Sequence, residues 1–346
     1  MLEGRPLGGT GLTVTPIGLG LAAIGRPGYI NLGRAADLGP ERSVETMRAR
    51  AHHLLDAARE AGVRYLDAAR SYGLAEDFLG SWLRARAVQP GTISVGSKWG
   101  YTYTADWVVG AEVNEIKDHT LPTLRRQVAE SRALLAPWLG LYQIHSATIE
   151  SGVLRDAEVL SELARLKGEG LAIGLSVSGP RQVDTIRLAL ETRVDGHGVF
   201  DTVQATWNVL EPSVGPALAD AHAAGLGVIV KEALANGRLA TTWPGAGAAI
   251  QAELQATVEA RTQDPAPPAL EAGPPGQPPG DVLAIAAALA QPWVDLVLSG
   301  AVTVEQLRSN LRALDVRLPH GALESLEGLA EEPGTYWAER SALAWA

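Results

Sequence analysis

The chain has 346 residues, 46% of them hydrophobic and 20% charged, enough to bury a large core and too ordered in composition for a disordered protein. Its net charge of −10 repels phosphate backbones and anionic lipid, and no basic run offsets it, so nucleic acid and membrane are not expected partners. With no cysteine there is no disulfide, thiolate nucleophile or cysteine zinc site, and with neither a secretory leader pattern nor an 18-residue apolar run the expected location is cytoplasmic.

In chain order, RPLGGTGLTVTPIGLG carries two turn signals and predicts a β-hairpin ahead of a first strand at 15–20. Short apolar runs then recur at 63–69, 92–98, 139–146, 171–178, 200–208, 226–233 and 294–300. Between them lie amphipathic stretches of helical period, such as SVETMRARAHHLLDAAREAG, AEDFLGSWLRARA and VEQLRSNLRAL. Eight strand–helix units in series predict a (β/α)8 TIM barrel, in one domain spanning 1–346; a doubly wound open sheet has fewer strands and a Gly-rich first turn not seen here. Long loops are expected after strand three (101–120), after strand seven (the Pro/Gly-rich 264–280) and at the C-terminus.

In a parallel barrel the C-terminal strand ends share one rim. Strand two ends in Asp67 with Tyr72 beyond it, strand three in Lys98 and strand four in His145, so an acid, a phenol, an ammonium and an imidazole are expected to meet there. Only four of the 29 basic residues are lysines, and two of them, Lys98 and Lys231, interrupt apolar strands. An ammonium about 4 Å from a phenol contributes roughly 4 kcal/mol at an effective dielectric of about 20, which would bring the tyrosine near working pH. Asp67 would keep Lys98 charged, and His145 could polarise a carbonyl. Any one of these alone is more often a satisfied structural group; four on three successive strands are harder to assign that way. Glu76 reads as a first-turn helix acid.

The segments LDAARSYG, AEDFLG, SVGSKWG and LYQIHS, in this order, resemble the aldo-keto reductase superfamily, whose barrels reduce carbonyls with NADPH. The resemblance implies Tyr72 as general acid, Asp67 and Lys98 as its tuning pair and His145 as the carbonyl's orienter. IGLSVSG implies a carboxamide contact at Ser176, with Val177 where the family has Asn, and VQATWN implies Gln204 at the carboxamide and Trp207 stacked on the nicotinamide. Leu234 and Gly237 fit the pyrophosphate turn after strand seven, and LVLSGAVTVEQLRSN implies Gly300, Gln306 and Asn310 around the adenosine. The implied cofactor is NADP(H), with NAD(H) as the alternative because Gly300, Val302 and Gln306 supply no cation for a 2′-phosphate. Lys231 and Glu232 depart from the family frame: either Lys231 binds pyrophosphate or a substrate group, or the two form a structural pair.

The expected function is NAD(P)(H)-dependent reduction of an aldehyde or ketone, or oxidation of the matching alcohol or sugar lactol. The competing readings are a Schiff-base lyase or aldolase on Lys98 or Lys231 and a non-catalytic nucleotide-sensing barrel. Tyr101, Tyr103 and Trp107 after strand three, and Trp337 and Arg340 near the C-terminus, would either line the substrate site or pack as a lid. The sequence leaves substrate identity and oligomeric state open.

Overall fold

The computed structural model describes residues 2–240, 279–318 and 321–345. Eight parallel strands close into a barrel: β1 Ile17–Gly20, β2 Tyr65–Asp67, β3 Ser94–Trp99, β4 Leu139–Ala147, β5 Ala172–Val177, β6 Thr202–Thr206, β7 Gly227–Lys231 and β8 Leu296–Ser299. Six lie within the predicted apolar runs, and β3 and β4 each extend one residue beyond theirs, to Trp99 and Ala147. Helices follow the strands in turn: α1 Val44–Glu60, α2 Ala75–Ala85, α3 Leu121–Leu135, α4 Ala157–Gly168, α5 Gln182–Glu191, α6 Gly215–Ala223, α7 Gly280–Leu289 and α8 Val304–Leu311. Their starts are set locally. Ser43 accepts from the Thr46 amide at α1, Asp156 from Glu158 and Val159 at α4, and Thr303 from Gln306 at α8, satisfying amides that the first turn leaves without partners.

Outward strand residues pack against these helices in two large apolar clusters, one including Ile144, Leu163, Val203 and Trp207, the other Leu19, Leu55, Leu79 and Trp82. The barrel interior holds its own cluster of Tyr65, Leu141, Ile229 and Leu296. The expected hairpin forms from Arg5–Pro6 and Thr13–Val14, and its loop packs under the barrel. There Leu7 is fully buried in the interior cluster, and the Gly9 amide donates to the Gly225 carbonyl at 3.0 Å.

The excursion after β3 is more ordered than the expected loop. Tyr101–Tyr103 pairs antiparallel with Glu115–Lys117, because YTY and EIK offer alternating side chains around a turn-rich segment. A short helix, Arg34–Leu38, and a small hairpin, Arg193–Val194 with His197–Gly198, carry no periodic signal long enough to predict. The Pro/Gly-rich stretch lies outside the described residues over 264–278, while Gly280 opens α7. Among the described residues no helix is long and apolar enough to cross a membrane.

Candidate active site

Strand register brings the polar residues together. Asp67 pairs with Gly96 across β2 and β3, so Lys98, two residues on, points into the barrel at the same end. Its ammonium is fully buried, pairs with Asp67 Oδ1 and donates to the Ala68 carbonyl at 3.0 Å. The other Asp67 oxygen accepts from Tyr65 Oη at 3.2 Å and from Gln204 Nε2 at 3.1 Å. Gly73, just beyond Tyr72, has φ +59°, and a Cβ there would stand 2.5 Å from the Gly25 carbonyl; the turn that exposes the phenol to the cavity needs that close approach.

Lys98 Nζ lies 4.9 Å from the Tyr72 ring centre, and the His145 ring meets Tyr72 edge-on at 5.4 Å. His145 Nδ1 is 3.2 Å from Ser71 Oγ, and its pKa is held well below 6.5 by burial, then by Lys98 and Arg26, so the imidazole is neutral. The phenol departs from the sequence expectation. Burial, and next Asp67, hold the Tyr72 pKa well above 10, against the lowering by Arg26, so the resting residue is a protonated phenol and not a group titrating near neutrality. Burial is the largest cause, and the Lys98 charge is moreover matched by Asp67. The same pairing makes Lys98 a poor Schiff-base amine, which needs a free neutral nitrogen.

A cavity of about 730 Å³ begins at Asp67, Tyr72 and His145. Ser176, Gln204, Leu234, Gly237, Gly300, Gln306 and Asn310 all line it. Ser176 Oγ accepts from the Ser146 amide at 2.8 Å, and Asn310 is hydrogen-bonded to Ser299 Oγ at 2.8 Å. The segment after β1 bridges the β7 turn: the Leu32 amide donates to the Asn236 carbonyl at 2.9 Å, and Asn31 and Leu32 face the cavity with Gly237.

Trp207 is a correction. It does not face the nicotinamide end; it is buried against Trp293, ring centres 5.9 Å apart, in the layer between barrel and helices. Side chains alternate along β6, so Thr202, Gln204 and Thr206 point inward, and Trp207, the residue after the strand, packs outward in the apolar cluster with Trp293. The inward Thr206 meets Lys231 instead, whose ammonium donates to Thr206 Oγ1 at 2.6 Å in the cavity wall.

Lys231 and Glu232 are only a loose pair at 3.8 Å. Glu232, at φ +57°, turns toward Arg340 of the C-terminal helix Pro333–Ser341, which grips it with two nitrogens. Burial lowers the Lys231 pKa to about 8, partly opposed by Glu232. Arg340 and Tyr101 line the cavity as expected of rim residues, whereas Trp107 donates its indole N–H to the Arg42 carbonyl and packs on Phe78. Trp337 is buried against Tyr336. Glu76 sits in the first turn of α2 but is buried, ion-paired to Arg70 and accepting from Ser97 and Ser131.

Sequence reasoning missed Arg26, Tyr29 and Trp345. The Arg26 guanidinium lies 4.6 Å from the ring centres of Tyr29 and Trp345 and 5.2 Å from that of Tyr72, and pairs with Glu115 at 3.0 Å. The available signal was position alone: Arg26 follows β1 on the rim where the tetrad gathers.

Known proteins resemble this chain over most of its length. The model of the Aldo/keto reductase family matches residues 16–331. The chain is 26% identical over 333 residues to the aldo-keto reductase ausK of Aspergillus calidoustus, covering 93% of this chain and 80% of that protein. It is 26% identical to the NADH-specific methylglyoxal reductase of Escherichia coli, covering 94% and 98%, and 28% identical over 204 residues to the pyridoxal 4-dehydrogenase of Microbacterium luteolum, covering 49% and 55%. The crystal structure of PA4992 from Pseudomonas aeruginosa superposes with a TM-score of 0.60 at 25% identity, covering 93% of this chain and 96% of that one. The holo aldo-keto reductase AKR11C1 of Bacillus halodurans shares the fold with a TM-score of 0.67 at 20% identity over 96% and 97%. With the barrel, the strand-end quartet and a family model spanning nearly its whole length, this chain belongs to the aldo/keto reductase family, enzymes of NAD(P)-dependent carbonyl reduction.

Proposed function

We propose that this enzyme reduces an aldehyde or ketone, or oxidises the matching alcohol or sugar lactol, with Tyr72 as general acid and base. The observation that carries the reading is the convergence of Tyr72, Lys98, Asp67 and His145 at one end of a cavity that also reaches Gln306 and Asn310. The residues fit a nicotinamide dinucleotide. Ser176 and Gln204 offer polar side chains for a carboxamide beside the phenol, Leu234, Gly237 and Gly300 line the wall beyond them, and Gln306 and Asn310 line the α8 end. When bound, the nucleotide supplies hydride to the carbonyl carbon.

In reduction the protonated Tyr72 gives its proton to the carbonyl oxygen. In the neutral tautomer whose Nδ1 accepts from the Ser71 hydroxyl, His145 carries Nε2–H and donates to the same oxygen, so two donors meet the charge that develops there. The phenolate then left on Tyr72 is opposite Lys98. Taking the 4.9 Å to the ring centre as the separation, the ammonium is worth roughly 3 kcal/mol to that phenolate at an effective dielectric of about 20, less what Asp67 opposes. Lys98 thus acts on the deprotonated state, while burial keeps the resting phenol a donor. Tyr29, Tyr101 and Trp345 provide flat apolar faces for the substrate body.

The test is Tyr72→Phe. Nucleotide binding, followed by quenching of tryptophan fluorescence with Trp345 on the cavity wall, is expected to persist, while carbonyl-dependent nucleotide oxidation falls by about 10²–10⁴. Methylglyoxal and pyridoxal, from the names of two relatives, are the first carbonyls to offer. Undiminished turnover removes Tyr72 from its role; a parent protein that binds nucleotide and turns over no carbonyl would point to the sensing barrel.

A further inference from the structure

This inference rests on the dinucleotide reading and concerns which dinucleotide is taken. With the reactive ring at Tyr72 and His145, the adenosine ribose lies toward the cavity wall formed by Val302, Glu305, Gln306, Ser309 and Asn310. That wall holds an uncommon connection. Gln306 Oε1 accepts the Val302 amide N–H at 2.9 Å, and Gln306 Nε2 donates to Asp37 Oδ2 at 2.7 Å, joining α8 to the Arg34–Leu38 helix from the other end of the chain. Asp37 and Glu305 both face the cavity here.

A phosphomonoester carries about −1.5 to −2 charges near neutrality and needs cations or free amides. Among the described residues this wall offers it little. The Val302 amide is taken by Gln306 and the Val302 side chain has no donor. Arg34 lines the cavity, but its guanidinium is buried and donates to the carbonyls of Ala23 at 2.7 Å, Pro27 at 2.8 Å and Arg26. Two carboxylates would face the phosphate instead. A ribose 2′-hydroxyl has the opposite requirements, since it can donate to a carboxylate, the contact by which an acidic residue marks NAD in other dinucleotide sites.

We infer that Asp37, held by Gln306, makes this enzyme select NAD(H) over NADP(H), against the preference the family resemblance implies. Asp37 accepts from the ribose 2′-hydroxyl and repels a 2′-phosphate, and Gln306 closes the Val302 amide, just ahead of α8, that a phosphate would otherwise use.

The experiment titrates the full chain with NADH and, separately, NADPH, reading fluorescence quenching, and repeats both with Asp37→Asn, which keeps an acceptor for Gln306 and removes the charge. The expected result is an NADH dissociation constant at least about tenfold below that of NADPH in the parent. In Asp37→Asn the NADPH constant is expected to fall by about tenfold while NADH binds no more tightly. Parent protein that binds NADPH as tightly as NADH overturns the inference and leaves the oxidoreductase reading standing, as does an NADPH constant unmoved by Asp37→Asn. Failure of both nucleotides to bind the parent overturns the two together.

Discussion

Replacing Arg340 with Met removes a guanidinium from beside a buried carboxylate and leaves an unbranched apolar side chain. Among the described residues Glu232 keeps only the Thr206 hydroxyl at 3.2 Å and Lys231 at 3.8 Å. Burial alone would raise its pKa, but Arg340, then Lys231, and the hydrogen bonds from Arg340 and Thr206 outweigh burial and bring it from the ordinary 4.5 to about 2. At 1.36 kcal/mol per pKa unit the charged carboxylate contributes about 3 kcal/mol to the fold, in the range found for breaking buried pairs. Because the folded pKa is depressed, this contribution is complete above pH 4.5 and fades as pH falls toward about 2, with about 1 kcal/mol of it gone at about pH 3.5. Urea unfolding of the parent and Arg340→Met at pH 7 and about pH 3.5 measures it. The variant is expected to lose about 2–3 kcal/mol at neutral pH, and the gap is expected to narrow by about 1 kcal/mol or more in acid. A gap below about 1 kcal/mol at neutral pH, or one that ignores pH, refutes the assignment of the Glu232 shift to Arg340.

Three other perturbations test separate parts of the site. Lys98→Met leaves Asp67 buried with Tyr65 and Gln204 as donors, and is expected to cost about 3–5 kcal/mol of stability and about 10² in turnover, read from urea midpoints and carbonyl-dependent nucleotide oxidation. His145 sits well below 6.5, and His119 is lowered to about 4 mainly by burial and then by Lys117, so both stay neutral when folded. Stability is therefore expected to hold above pH 6.5 and to fall below it by up to about 1.36 kcal/mol per pH unit per histidine, with a shallower slope in His119→Asn. Gly96→Ala places a methyl 2.1 Å from Tyr65 Oη and is expected to cost about 1–3 kcal/mol; the same change in a Tyr65→Phe background, where that oxygen is gone, is expected to cost clearly less.

The quartet was legible because the barrel makes a one-dimensional rule sufficient: polar residues that end successive parallel strands become neighbours. The same rule, applied more strictly, would have corrected Trp207, since residues 204 and 207 differ by an odd number and face opposite sides of a strand. The tyrosine's protonation was not legible. It depends on how far Asp67 neutralises Lys98 and on how deeply the phenol is buried, and neither leaves a trace in spacing. Lys231 and Glu232 stood out as odd, yet the partner that explains Glu232 is 108 residues further on. Asp37 and Gln306 are 269 residues apart and carry no motif together. Arg26 follows β1 in a segment without period, and only its stacking between Tyr29 and Trp345 reveals it.

The two mouths of the barrel are finished by opposite ends of the polypeptide. Leu7 of the N-terminal hairpin fills the lower one against Leu141, Ile229 and Leu296, whereas the upper wall is completed when Arg340 reaches Glu232 and Trp345 settles on Arg26. During synthesis the strands and the tetrad can thus be in place while the cavity still lacks a side.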